Sequence, residues 1–118
     1  MSMKFIISRK DLLNRLNGIS EAITNSSSEA LLKDIVIVAG YNTLYLMGKY
    51  LDFKITLQTN CEVLEVGTIL VESEIFKNII EDIDDDYITV KSFDHNCINI
   101  SSINSNLNIF TKNITTYL

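Results

Sequence analysis

Ile6-Ile7-Ser8-Arg9-Lys10-Asp11-Leu12-Leu13-Asn14-Arg15-Leu16 and Ile69-Leu70-Val71-Glu72-Ser73-Glu74-Ile75-Phe76-Lys77-Asn78-Ile79 align without a gap. Each stretch reads as a short apolar strand running directly into an amphipathic helix, and the recurrence marks an internal repeat. In the first helix Leu12, Leu13, Leu16, Ile19 and Ile23 recur at helical spacing and make one apolar stripe. Ile75, Phe76, Ile79, Ile80 and Ile83 do the same in the second. Ser8 is suited to N-cap the first helix, with Asp11 in its opening turn. Glu72 and Glu74 put negative charge at the positive end of the second helix dipole.

Outward from these two stretches the likeness continues. After the first helix, Leu32 to Ala39, the turn Gly40-Tyr41-Asn42 and Thr43 to Gly48 predict a hairpin, because β-branched residues alternate around a turn signal. A third strand follows from about Phe53 to Thr59. After the second helix, Tyr87 to Ser92, the turn Asp94-His95-Asn96, Cys97 to Ser101 and about Asn106 to Thr111 repeat that order. Asn25-Ser26-Ser27-Ser28 reads as a polar linker, and Asn60 to Gly67 as the link between repeats. The expected fold class is α+β: βαβββ twice, repeat 1 over about 3–59 and repeat 2 over about 68–111, with both helices on one face of antiparallel sheets.

A chain of 118 residues has room for one compact domain, taken here as 1–118. With 47% hydrophobic and 21% charged residues, it has the composition of a folded protein. No apolar run approaches the roughly 20 residues that cross a bilayer, and Met1 to Ser8 lacks the long apolar region and cleavage site of a secretory signal. The expected location is the cytoplasm, with no membrane partner. Cys61 and Cys97 stand in strand contexts without a CxxC pair, so they read as reduced packing residues. A net charge of -5 argues against nucleic acid covering the whole surface, while leaving room for a local basic face.

The opening Met3-Lys4-Phe5-Ile6-Ile7-Ser8-Arg9-Lys10-Asp11-Leu12-Leu13, then Leu31-Leu32, Thr43-Leu44-Tyr45-Leu46-Met47-Gly48, and Ile69-Leu70-Val71 leading to Phe76 form an ordered set. Together they resemble the first domain of the bacterial DNA polymerase III beta subunit, the replication sliding clamp. The resemblance covers the whole chain. It departs from the family's pattern at Lys49-Tyr50, where Thr-Asp is usual, and at Ala30, where a proline is usual. The chain stops near where the family's first domain passes into a linker. The expectation is therefore either a fragment of a longer clamp or a one-domain relative, lacking the partner-peptide pocket that the resemblance places between the second and third domains.

The resemblance implies a ring of six such domains, with helices lining a hole for duplex DNA and sheets outside. Weak, sequence-independent phosphate contacts suit sliding. On that reading Arg9, Lys10, Arg15 and Lys77 are the candidate DNA contacts. The candidate subunit-interface edge strands are those holding Phe53, Ile55 and Leu57 and those holding Leu107 and Ile109. The expected partners are further copies or other clamp domains, duplex DNA bound non-specifically, and a polymerase or clamp loader. The first helix's exposed positions are nearly neutral and the second's net acidic, which motivates an alternative: a one-domain clamp mimic that binds and regulates a replisome protein. An unrelated α+β interaction domain is the third reading.

Nothing in the sequence suggests an enzyme. His95 lies between Asp94 and Asn96 and reads as a polar turn residue. Asp82-Ile83-Asp84-Asp85-Asp86 lacks the glycine and distant glutamate of a calcium loop, so it reads as a solvated helix end. There is no phosphate-cradling glycine loop, HExxH or GxSxG, and no catalytic residue, metal or cofactor is expected.

Overall fold

The computed structural model describes residues 2–26, 33–50, 53–93 and 96–116. In chain order the elements are β1 (Lys4–Ser8), α1 (Arg9–Ser26), β2 (Asp34–Ala39), β3 (Thr43–Tyr50), β4 (Phe53–Asn60), β5 (Glu62–Glu65), β6 (Gly67–Glu72), α2 (Ser73–Asp82), β7 (Tyr87–Phe93), β8 (Cys97–Ser101) and β9 (Asn106–Phe110), followed by a 3-10 turn at Ile114–Thr116. Two antiparallel sheets result, ordered β5-β1-β7-β8-β9 and β4-β3-β2-β6.

The two repeats exchange their first strands. β1 pairs with β7 of the second repeat, Phe5 opposite Val90 and Ile7 opposite Ile88. β6 pairs with β2 of the first, Ile69 opposite Ile37 and Val71 opposite Ile35. Each helix therefore leaves one sheet and is followed by strands of the other. A single core results, in which Phe5, Ile7, Leu12, Leu16, Ile37, Leu46, Val71, Phe76, Ile80, Val90 and Ile100 are all buried.

The true correspondence between repeats is one residue away from the gapless alignment of the sequence. Phe5 and Ile7 match Ile69 and Val71, Leu12 and Leu16 match Phe76 and Ile80, and both sets face the core. The helices begin at matching residues, Arg9 and Ser73. In a strand a slip of one residue exchanges the faces; apolar residues on both faces of β6, including the buried Leu70, hide that slip from the sequence. Ile75 consequently does not belong to the apolar stripe: it is 46% exposed and matches the exposed Asp11.

The correspondence holds in the turns. Asn42 and Asn96, at matching positions before β3 and β8, both adopt a left-handed backbone (φ 53 and 59), which asparagine tolerates. The carbonyl of Asn42 accepts from the Cys61 amide at 3.2 Å, and that of Asn96 from the Thr111 amide at 2.7 Å. The Asp94-His95 part of the second turn lies outside the described residues, as do Ser27, Ser28, Leu31 and Leu32.

Parts of both stretches expected as linkers lie in regular elements. Asn25 and Ser26 continue α1. Glu62 to Glu65 form β5, which pairs with β1 (Ile6 opposite Glu62). Its counterpart in the second repeat is a single bridge, Lys112 opposite Leu70. That bridge is reinforced by the Lys112 side chain, whose Nζ donates to Asp34 at 2.7 Å. At Gly67 an added Cβ would lie 2.8 Å from Met3 Cβ, so only glycine fits where β6 begins beside the strand leading into β1.

The two helices start differently. The Asp11 amide donates to Ser8 Oγ at 3.3 Å, making Ser8 the N-cap. Glu72 makes no side-chain cap to α2, and the Ser73 amide donates instead to the Lys33 carbonyl at 3.0 Å. At the end of α2 the Ile83 amide donates to the Ile79 carbonyl at 3.2 Å while the Ile83 side chain is buried.

Candidate functional site

The sheet edges follow from the repeat. β4 ends the four-stranded sheet and β9 the five-stranded one, at equivalent places in the two halves. Among the described residues each therefore has one row of backbone donors and acceptors without a neighbouring strand, a template for pairing with another chain. The expected edge residues are on these strands, but their side chains do not point outward. Ile55, Leu57, Leu107 and Ile109 are half-buried against the core, leaving only their backbone to an edge contact, while Phe53 is 39% exposed.

The side chains that do face outward at the β9 edge are different. Phe110 is 85% exposed and Ile75 is half-exposed. With Glu72, Asn108 and Lys112 they bound a mostly apolar groove of about 390 Å³. Phe110 was open to discovery by period-two alternation, since Leu107 and Ile109 face inward. Ile75 was hidden by the one-residue slip in the repeat alignment. At the β4 edge the matching residues are Asn60 and Asp11, both exposed and polar. The two edges share a backbone plan and differ in chemistry.

The helix faces carry the candidate cations in unequal states. Lys10 and Arg15 are exposed on α1 beside Asp11, Asn14 and Glu21. Lys77 lies on α2 with its Nζ 4.0 Å from the Glu81 carboxylate, and Glu74, Glu81 and Asp82 are exposed around it. Arg9 is engaged inside the fold. Its Nε donates to the Ile80 carbonyl at 2.8 Å and its Nη2 to the Glu81 carbonyl at 2.7 Å. These are carbonyls of the last turn of α2, which has no basic residue of its own there, so the guanidinium satisfies them and sits at the negative end of the dipole.

In the acidic run at the end of α2 one carboxylate is tied down. Asp85 accepts from Ser102 Oγ at 2.5 Å and from the Asn104 amide at 3.0 Å and Nδ2 at 3.1 Å. The Ser102 hydroxyl first, then the Asn104 amide, hold its carboxyl below the usual carboxylate range. This ties the α2–β7 loop to the β8–β9 turn. Among the described residues no three His, Cys, Asp or Glu side chains are grouped to hold a metal, and no helix is long and apolar enough to cross a membrane. Cys61 and Cys97 are free thiols, and burial pushes Cys61 up to about 11.

Residues 3–117 match the sequence pattern of the DNA polymerase III beta subunit, N-terminal domain. The chain is similar to the beta sliding clamp of Mycoplasma pneumoniae, 29% identical over 116 residues, covering 93% of this chain and 30% of that protein. Its fold is similar to the crystal structure of the DNA polymerase beta subunit of Streptococcus pyogenes, with a TM-score of 0.85 at 25% identity, covering 98% of this chain and 32% of that one. The Helicobacter pylori beta clamp bound to a DNA ligase peptide has the same fold, with a TM-score of 0.83 at 16% identity, covering 98% and 32%. The chain thus spans about a third of the length of these relatives.

Proposed function

This chain belongs to the DNA polymerase III beta subunit family, in the part that forms the N-terminal domain, and we propose from that membership that it serves as one segment of a sliding clamp. On this reading it joins other clamp domains through its sheet edges, closes a ring around duplex DNA and supports replication processivity in the cytoplasm without catalysing a reaction. The observation that carries the proposal is the pair of equivalent edges, β4 and β9, that end the two sheets among the described residues. An edge-to-edge contact at each would continue both sheets into neighbouring domains.

The apolar groove of Ile75 and Phe110 supports β9 as the edge with the stronger contact, because burying those side chains adds hydrophobic stabilisation to the backbone pairing. Lys10 and Arg15 are the residues best suited to touch phosphate, being exposed on α1. Arg9 is better read as a positioning residue that holds α2, and Lys77 as part of a pair with Glu81. A polymerase or clamp loader would be met by the assembled clamp. The test is light scattering coupled to size exclusion over a concentration series. Ring assembly from this chain alone predicts a hexamer joined head to tail, and a strictly monomeric chain at high concentration would count against it.

The acidic exposed face of α2 favours one second reading, a clamp mimic that regulates a replisome protein by occupying a clamp's edge. Titration with a purified bacterial clamp separates the two: a mimic binds it as a one-to-one partner without DNA.

A further inference from the structure

The geometry points to the outward face of the five-stranded sheet as a binding platform for single-stranded nucleic acid, distinct from the helix faces that would meet a duplex. Along β7 the outward residues are Tyr87, Thr89, Lys91 and Phe93, since Ile88, Val90 and Ser92 face inward. They succeed one another at roughly 7 Å, the repeat of one face of a strand. The two aromatic rings are 65% and 46% exposed. Lys91 lies between them, its Nζ 5.4 Å from the centroid of the Phe93 ring.

The pairing brings further groups into line. Lys4 of β1 stands directly opposite Lys91, Lys91 opposite Asn99, and Asn99 opposite Asn108. Like charges opposed across a strand pair are destabilising, and an anion between Lys4 and Lys91 would relieve that repulsion. Asn99 Nδ2 donates to Asn106 Oδ1 at 2.6 Å, to Asn108 Oδ1 at 2.9 Å and to the Leu107 carbonyl at 3.3 Å. That network orients three amides on the same face. The outward positions of β1, β7, β8 and β9 hold no carboxylate, in a chain with a net charge of -5. Glu62 and Glu65 on β5 bound the face at one side, Glu65 opposite Lys4 and accepting from Ser2.

Exposed rings that stack on bases, cations beside them for phosphate, and amides for base edges are the chemistry of sheet surfaces that hold single strands. A duplex could not present its base faces to the rings. Phe110 is left out of the assignment because its ring flanks the β9 edge.

The test is fluorescence anisotropy of a labelled oligothymidylate of about 15 nucleotides titrated with the full chain at low salt, with circular dichroism verifying the fold of each variant. Binding should weaken as salt rises. Phe93→Ser and Tyr87→Ser should each weaken binding about tenfold, the loss of one stacked base. Lys91→Gln should reduce the slope of log affinity against log salt by about 0.7, the signature of one released counterion on a single strand, which a merely structural role would not change. Lys10→Gln/Arg15→Gln should leave single-strand binding unaltered. The assignment is overturned by no anisotropy change at low salt, by loss only in the Lys10/Arg15 variant, or by binding that ignores Tyr87, Lys91 and Phe93.

Discussion

Arg9 shows how a charged residue that looks available for a ligand can be consumed by the fold. Its two hydrogen bonds supply what the C-terminal turn of α2 lacks, so Arg9→Met should lower stability in urea unfolding by about 1–2 kcal/mol, a charge-assisted contact discounted for partial exposure. The variant should leave duplex binding unchanged if Lys10 and Arg15 make the phosphate contacts. Cys61 gives a second residue-scale prediction. Burial raises its thiol from 9.0 to about 11, so at pH 8 only about one thiol in a thousand is thiolate, and iodoacetamide should modify it much more slowly than an unfolded cysteine. The folded state favours the protonated thiol. That contribution to stability is full below the unfolded value and is lost as pH rises from about 9 toward about 11, which Cys61→Ser should remove from a pH series of melting temperatures. The sequence identified Ser8 as an N-cap because capping is local. It could not foretell the role of Arg9, whose acceptors lie on the other helix.

At the scale of elements, the one-residue shift between repeats separates residues that look alike. Ile80 and Ile75 both belong to the apolar run of α2, yet Ile80 is fully buried and Ile75 half-exposed. Ile80→Ala should cost about 2–5 kcal/mol, as for a truncated core side chain. Ile75→Ser should change the melting temperature little in the isolated chain, and comparing both variants by thermal unfolding checks the assigned register. The helices, hairpins and three-strand runs were legible because each carries its own periodicity. β5 was not: Glu62-Val63-Leu64-Glu65 has half of its residues charged, and its pairing depends on the edge that β1 presents. The strands β4 and β9 were legible as candidate edges too, though not which way their side chains face. Ile55, Leu57, Leu107 and Ile109 face the core, and the edge offers backbone.

For the whole molecule, exchange of the first strands between sheets makes the two repeats inseparable, since each sheet takes in a strand from the other repeat. The same exchange sets equivalent edges at β4 and β9 with unlike side chains. If the β9 edge is the stronger joint, Phe110→Asp should abolish or weaken self-association by at least about tenfold, the effect of burying a charge in an apolar contact, while an Asn60 substitution of similar size should do less. Analytical ultracentrifugation of both variants reads the difference. An equal effect of the two would indicate that the edges contribute alike and that the apolar groove is not the joint.

The sequence by itself determined that this protein is built of two βαβββ units, where the helices and most strands lie, and which family they resemble, because these depend on local periodicity and on the order of motifs. Only the tertiary structure decided the register of one repeat on the other, the exchange of β1 and β6, the ordering of β5, and the placement of Ile75 and Phe110 at one edge with Asp11 and Asn60 at the other. Those depend on which residue lies opposite which across the chain, and apolar residues on both faces of β6 fit more than one register until the strands around them are in place.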